Sequence, residues 1–233
     1  SLAMTMYGDL DVSIMDEKPA FQKPIETHVC TEQQRERIYD FIRKRVTEGQ
    51  QTYVVYPLVE ESEKVDLQDA VSGYEQLEEA FPCCSVGLVH GQLSSEEKDL
   101  QMQQFKEGST DILVATTVIE VGVDVPSATI MLIEHAERFG LSQLHQLRGR
   151  VGRGSEKSYC ILMAGYPRTD EAEVRLEAMA STNDGFEISE TDLQLRGAGE
   201  FFGTRQSGVP ELQIADIIED AEILEEAREA AFK

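Results

Sequence analysis

Apolar and polar positions along the chain follow two alternating rhythms. Short β-branched runs recur at residues 25–30, 52–56, 85–90, 111–115, 129–133 and 158–163. Each has the length and composition of a strand. Longer amphipathic stretches lie between them. Residues 31–49 put Ile38, Phe41, Ile42 and Val46 on one helical face, with Thr31 and Gln34 spaced as a capping box and Gly49 at the C′ position. A second helix is predicted over 66–81, stopping before Pro82, and a third over 94–108, opening on a Ser cap and turning Leu100 and Phe105 inward. Strands alternating with helices predict an α/β fold, a three-layer parallel sheet built from βαβ units. After Pro167 the strand signals stop. A helix over 169–180 carries apolar Val174, Leu176 and Met179, a Gly-rich aromatic and basic stretch follows at 195–208, and an acidic helix is predicted over 210–232.

Length and composition set the class. With 233 residues, 41% hydrophobic and 28% charged, the chain holds one large domain with an appendage, and it has no apolar run long enough to span a membrane. The four cysteines and four histidines have no metal-ligand spacing, so no metal site is predicted, and the cysteines read as reduced thiols of a cytoplasmic protein. The opening SLAMTMYGDLDVS lacks a secretory pattern and also lacks a domain-start signal, which suggests a piece of a longer protein. Charge is the unusual quantity: 21 Lys and Arg against 44 Asp and Glu leave a net charge of −23. By itself this argues against a nucleic-acid partner, because phosphate binding depends on cationic side chains.

Local chemistry points the other way. Residues 143–154, QLHQLRGRVGRG, contain Arg148, Arg150 and Arg153 and no acid. Glycines 149, 152 and 154 keep side chains away, so the three guanidinium groups are expected to converge on phosphate oxygens; neutralisation by the surplus carboxylates is the alternative. Residues 111–129 leave a buried strand at Thr116 and Thr117 and continue to Gly122 and Asp124, where hydroxyls and a carboxylate could hold phosphate or ribose. The ordinary alternative is a capped strand-to-helix turn. Residues 88–98 end a strand at His90 and Gly91 before a Ser-capped helix, whose amino end favours anions. GAGEFFG at 197–203 has its third glycine one residue late and no preceding strand, so it is no dinucleotide fingerprint. No G-x-x-x-x-G-K-[ST] loop occurs, and no acidic pair follows a strand. An ATPase site could not be closed by this chain alone.

In order and spacing, these segments resemble the second motor lobe of superfamily 2 helicases, with 111–129 in the place of motif V and 146–153 in the place of motif VI. YPLVEESE at 56–63, HAERFGLSQLHQLRGRVGRG at 135–154 and DLQLRGAGEFFGTRQSG at 192–208 are similar to the RecG family of bacterial ATP-dependent DNA helicases. The resemblance implies a RecA-like lobe at 23–168, a tail of the first lobe at 1–22, and a translocation motif of helical hairpin and loop with the acidic helix at 169–233. It also implies roles: Arg153 as the arginine finger, Arg150 beside it on the phosphates, Gln146 organising the site, and Gly122 and Asp124 near the nucleotide. His90, Gly91, Thr116 and Thr117 would contact the DNA backbone. Arg175, Arg196 and Gln206 would couple lobe movement to translocation, with Gly197, Gly199, Gly203 and Gly208 letting the loop swing.

The implied cofactor is ATP with Mg2+, held mainly by the missing first lobe. The implied partners are branched duplex DNA (forks and Holliday junctions) and the missing N-terminal lobe and wedge domain, with no membrane; the implied location is the bacterial cytoplasm, at the nucleoid. The transcription-repair coupling factor shares the two motifs, but the resemblance places a direct strand-to-helix connection where this chain has YPLVEESEKVDLQDA. A non-catalytic acidic module fits the net charge and leaves the ordered arginine motifs unexplained. From 138 to 154 there are four arginines and no acid, whereas 210–233 hold eight acids against two bases. The charge is therefore expected to be polarised, with a basic cleft face and an acidic outer face.

Overall fold

Parallel strands need long crossovers, and the helices predicted between the apolar runs supply them. The computed structural model describes residues 23–57, 63–116, 125–201 and 230, with backbone alone for 63–66 and 196–201. The chain divides into a unit of Pro19–Leu195 and a second of Ser1–Lys18 with Arg196–Lys233; the architecture below is that of the first. Among the described residues, β1 (Glu26–Cys30), β2 (Gln51–Tyr56), β3 (Val86–Val89), β4 (Ile112–Thr116), β5 (Ala128–Ile133) and β6 (Tyr159–Met163) form one parallel sheet in the order β1-β6-β5-β2-β4-β3. The helices are α1 (Arg35–Thr47), α2 (Glu63–Ala80), α3 (Ser95–Lys106), α4 (Leu141–Arg148), α5 (Asp170–Ser181) and α6 (Gly185–Phe201).

Alternate residues of each central strand face opposite layers. Val54, Tyr56, Ile112, Val114, Ile130 and Leu132 pack with Ile38 and Ile42 of α1 and Leu77 of α2. Tyr53, Val55, Leu113, Ala115, Met131 and Ile133 pack with Phe105 of α3, Leu144 of α4, Met179 of α5 and Ile188 of α6. Each large apolar side chain so buried contributes roughly 1.5–3 kcal/mol, which favours the strands β2, β4, β5 and β6 that are buried throughout, whereas β1 at the sheet edge has no buried residue. The local signals act as expected: Thr31 and Gln34 form a capping box, as do Ser94 and Glu97, and Gly49 takes φ +82°. At α5, Thr169 Oγ1 accepts from Ala172 N.

Two expectations need correction. Leu100 is 53% exposed, so it does not point inward, and α3 seats only a narrow stripe on the sheet. The second concerns glycine. Gly197 and Gly199, expected in a swinging loop, lie within helix α6, where the helical frame built from residue 185 overrides their low propensity. The acidic helix at 210–232 lies outside the described residues.

The first turn of α1 is tied to the end of β5. Arg35 donates from Nη1 to Glu134 Oε1 at 2.6 Å and from Nη2 to Glu134 Oε2 at 2.9 Å, and it also bonds Glu32. Burial works against the Arg35 charge, and the hydrogen bonds to Glu134 and Glu32 outweigh it, so its pKa is raised.

Candidate functional site: two opposite edges of the sheet

The proposed chemistry-bearing residues gather at opposite ends of the strands. At the carboxyl edge, Val89 of β3 pairs with Ala115 of β4, which places His90 beside Thr116. Thr116 is 1% exposed, and its Oγ1 and the Nδ1 of His90 are buried without a partner among the described residues. Buried polar atoms of this kind are uncommon and call for a bonding partner. Lys98 of α3 donates from Nζ to Gly91 O at 3.0 Å. Burial and then the Lys98 charge push the His90 pKa down. Lys98 was not singled out from the sequence, although a cation one turn into a Ser-capped helix beside His90 and Gly91 was a readable signal.

At the amino edge lie the glycines and arginines that follow α4. Gly152 has φ +79°, and a Cβ there would meet Ile25 at 3.0 Å; a Cβ on Gly154 would sit 2.8 Å from Pro126 O. Ile25 and Pro126 precede β1 and β5, so this loop lies where the strands begin. Gln146 is exposed and Arg150 half-buried. Arg153 is half-buried too, and its Nε donates to Gly149 O at 3.4 Å. β5 separates the two edges by about 20 Å at about 3.3 Å per residue. His90 and Thr116 thus stand at the carboxyl ends of strands, where ligands of parallel sheets generally gather, and the arginines stand at the opposite edge.

The expected convergence of three arginines is also corrected. Arg148 is 2% exposed and points into the protein. Its Nη1 donates to Met179 O at 2.9 Å and Thr182 O at 2.8 Å, carbonyls at the end of α5, and its Nη2 lies 3.1 Å from His145 Nδ1. With Arg148 as donor, His145 Nδ1 accepts, which places that ring's proton on Nε2. Ser142 of α4 donates to Asp192 of α6 at 2.7 Å. The helix that carries Gln146 is thereby fastened to the α5–α6 hairpin, by residues the sequence reading had not assigned to that task.

Of the three proposed coupling residues, Arg175 is half-buried on α5 and donates from Nη2 to Glu137 O at 3.1 Å, in the turn after β5. Arg196 lies in α6, its side chain not described, and Gln206 lies outside the described residues, as do Thr117, Gly122 and Asp124. Among the described residues no group of three metal-binding side chains forms, and no helix is long and apolar enough to cross a membrane. Cys160 is fully buried, and burial pushes its thiol up to about 12.

His135 is the one described non-glycine residue with positive φ, at 51°, and lies 3.8 Å from Glu137. Its pairing with the Glu137 carboxylate raises its pKa against the opposing effect of burial. The two rings therefore titrate in opposite directions from an ordinary histidine. Stability from His135 is present at low pH and fades as pH rises through and above the ordinary histidine value. His90 resists charging in the fold, so it costs stability as pH falls. An NMR titration is expected to show His135 deprotonating above, and His90 below, a histidine in a short peptide. The reverse order would contradict the geometry around both rings.

Residues 33–155 match the helicase conserved C-terminal domain family, and residues 182–233 match the C-terminal part of domain 3 of the ATP-dependent DNA helicase RecG. Proteins named ATP-dependent DNA helicase RecG are similar over nearly the whole chain. That of Streptococcus pneumoniae is 54% identical over 232 residues, 99% of this chain and 34% of its own length; that of Synechocystis is 53% identical, over 99% and 28%. The chain thus spans about a third of the relatives it matches. A structure of RecG bound to a three-way DNA junction superposes with TM-score 0.74 at 45% identity, covering 96% of this chain and 29% of that one. The Mycobacterium smegmatis helicase Lhr, bound to single-stranded DNA and AMP-PNP, superposes with TM-score 0.50 at 20% identity over 67% of this chain and 22% of its own, a likeness of fold. Motif order, sheet topology and whole-chain identity agree, and the chain belongs to the helicase conserved C-terminal domain family, in the form that this domain takes in RecG.

Proposed function

We propose that this chain is the second motor lobe of an ATP-dependent DNA helicase that remodels branched DNA, such as stalled forks and Holliday junctions, in the bacterial cytoplasm at the nucleoid. The observation that carries the reading is the division of polar and cationic side chains between two opposite edges of the sheet. Polar atoms without partners among the described residues and a lysine lie at the carboxyl ends of β3 and β4, and half-buried arginines lie at the amino ends of β1, β5 and β6. Residues 117–124 join the two by chain, from the end of β4 to the residues before β5.

In this reading Arg153 and Arg150, organised by Gln146, stabilise charge developing on the transferring phosphoryl group. Planar guanidinium groups fit that task, and Gly122 and Asp124 complete this lobe's share. ATP supplies the phosphoryl group and the free energy, and Mg2+ sits with the first lobe. His90, Gly91, Thr116, Thr117 and Lys98 hold the DNA backbone. The hairpin of 169–201 and the residues after it, with Arg175, Arg196 and Gln206, pass lobe movement to the duplex. The first lobe and a wedge domain of the same longer protein are the partners in this scheme.

The backbone contact is tested by salt titration of DNA binding in the intact protein. Lys98→Ala is expected to weaken binding to every sequence about equally and to make the log–log salt slope shallower by about one. An unchanged slope would remove the DNA from this edge.

A further inference from the structure

One loop on the carboxyl edge has no part in the reading above. β6 ends at Met163, and the chain then turns through 164–169 into α5. In that turn Tyr166 is 71% exposed, the highest value among the exposed large apolar side chains described. Its ring is nevertheless fixed. The guanidinium of Arg168 lies over one face, 4.2 Å from the ring centroid. That guanidinium is itself held: Nε donates to Gly165 O at 2.9 Å and Nη2 to Ala164 O at 3.0 Å. An aromatic ring backed on one face by an anchored cation, with the other face open to water, is the form of a stacking platform.

We propose that Tyr166, backed by Arg168, stacks on an unpaired base of single-stranded DNA crossing the carboxyl edge of the sheet. The ring stands at the end of β6, and His90 and Thr116 stand at the ends of β3 and β4. β6 and β4 are separated by β5 and β2, so three strand spacings of about 4.8 Å put them about 14 Å apart. A few nucleotides of an extended single strand cover that span. Asp170 and Glu171, in the first turn of α5, stand close to the ring in sequence. Their charge disfavours phosphate there, so the contact falls on the face of the base, which every base offers. The adenine of ATP is the poorer occupant, because Arg150 and Arg153 lie at the opposite edge.

The location rests on the DNA-backbone reading, and the test separates the two. The probe is an oligothymidylate carrying one 2-aminopurine, titrated with this chain. Quenching of its fluorescence is expected with the unsubstituted chain and with Tyr166→Phe. With Tyr166→Ala, quenching is expected to disappear and affinity to fall at least fivefold, at an unchanged melting temperature. Arg168→Gln, which removes the backing cation, is expected to lie between. Quenching and affinity that survive Tyr166→Ala, or no quenching by the unsubstituted chain, overturn the proposal. If Lys98→Ala then weakens binding where Tyr166→Ala does not, the platform fails and the backbone contact stands; the converse pattern sinks the backbone contact alone.

Discussion

Arg153→Ala in the intact protein is expected to lower ATP turnover by about a thousandfold or more while leaving the affinity for branched DNA nearly unchanged. Arginine fingers in other phosphoryl-transfer enzymes are worth about 10³ to 10⁵ in turnover. The size follows from timing: a planar cation placed where charge develops acts in the transition state and little before it. Arg153 lies at the amino edge, about 20 Å from the proposed DNA contacts at the carboxyl edge. Arg153→Lys is expected to rescue little, because an ammonium is a point charge without the guanidinium fork. Gln206→Ala, by contrast, is expected to keep ATPase activity and lose fork unwinding. Steady-state ATPase and fluorescence-anisotropy binding on the same preparations check both variants. Equal loss of the two activities in each would contradict the division of roles.

Arg148→Ala has the largest expected effect on stability. The guanidinium is 2% exposed and bonds two carbonyls at the end of α5. Truncation leaves both carbonyls buried and unpaired and opens a cavity beneath α4. Together these cost about 3 kcal/mol or more, which lowers the melting temperature by roughly 6–12 °C in a domain of this size. Arg148→Met fills most of the volume without restoring the donors and is expected to fall between. A melting temperature within about 2 °C of the parent for Arg148→Ala would place the side chain in solvent and not in the core.

The strands β2, β4, β5 and β6 were legible because they are buried on both faces, which forces continuous apolar runs that few other structures produce. The helices were legible in position and less so in rotation. Leu100 matched an apolar pattern, yet it lies off the stripe that meets the sheet. Helix α4 was hidden, since it is short and its last residue, Arg148, was grouped with Arg150 and Arg153 in a functional reading. A signal was present, however. Leu141, Leu144 and Arg148 lie at 0, 3 and 7 along the helix, so the apolar stripe runs through Arg148 and marks it as an inward residue, set apart from Arg150 and Arg153. No local pattern could show that its acceptors lie at the end of α5, because they are backbone carbonyls distant in sequence. The net charge of −23 hides local differences in a similar way: in the structure Arg35, Arg43 and Arg45 pair with nearby carboxylates, whereas Arg150 and Arg153 stand together after α4.

ATP hydrolysis by this chain alone, with and without forked DNA, tests the central claim most directly. A lobe that contributes arginines to a phosphate site without the loop that cradles the phosphates should bind ATP weakly and hydrolyse none under either condition. DNA-stimulated turnover by the purified chain, abolished by Arg153→Ala, would show that a complete site lies within these residues and would contradict the account.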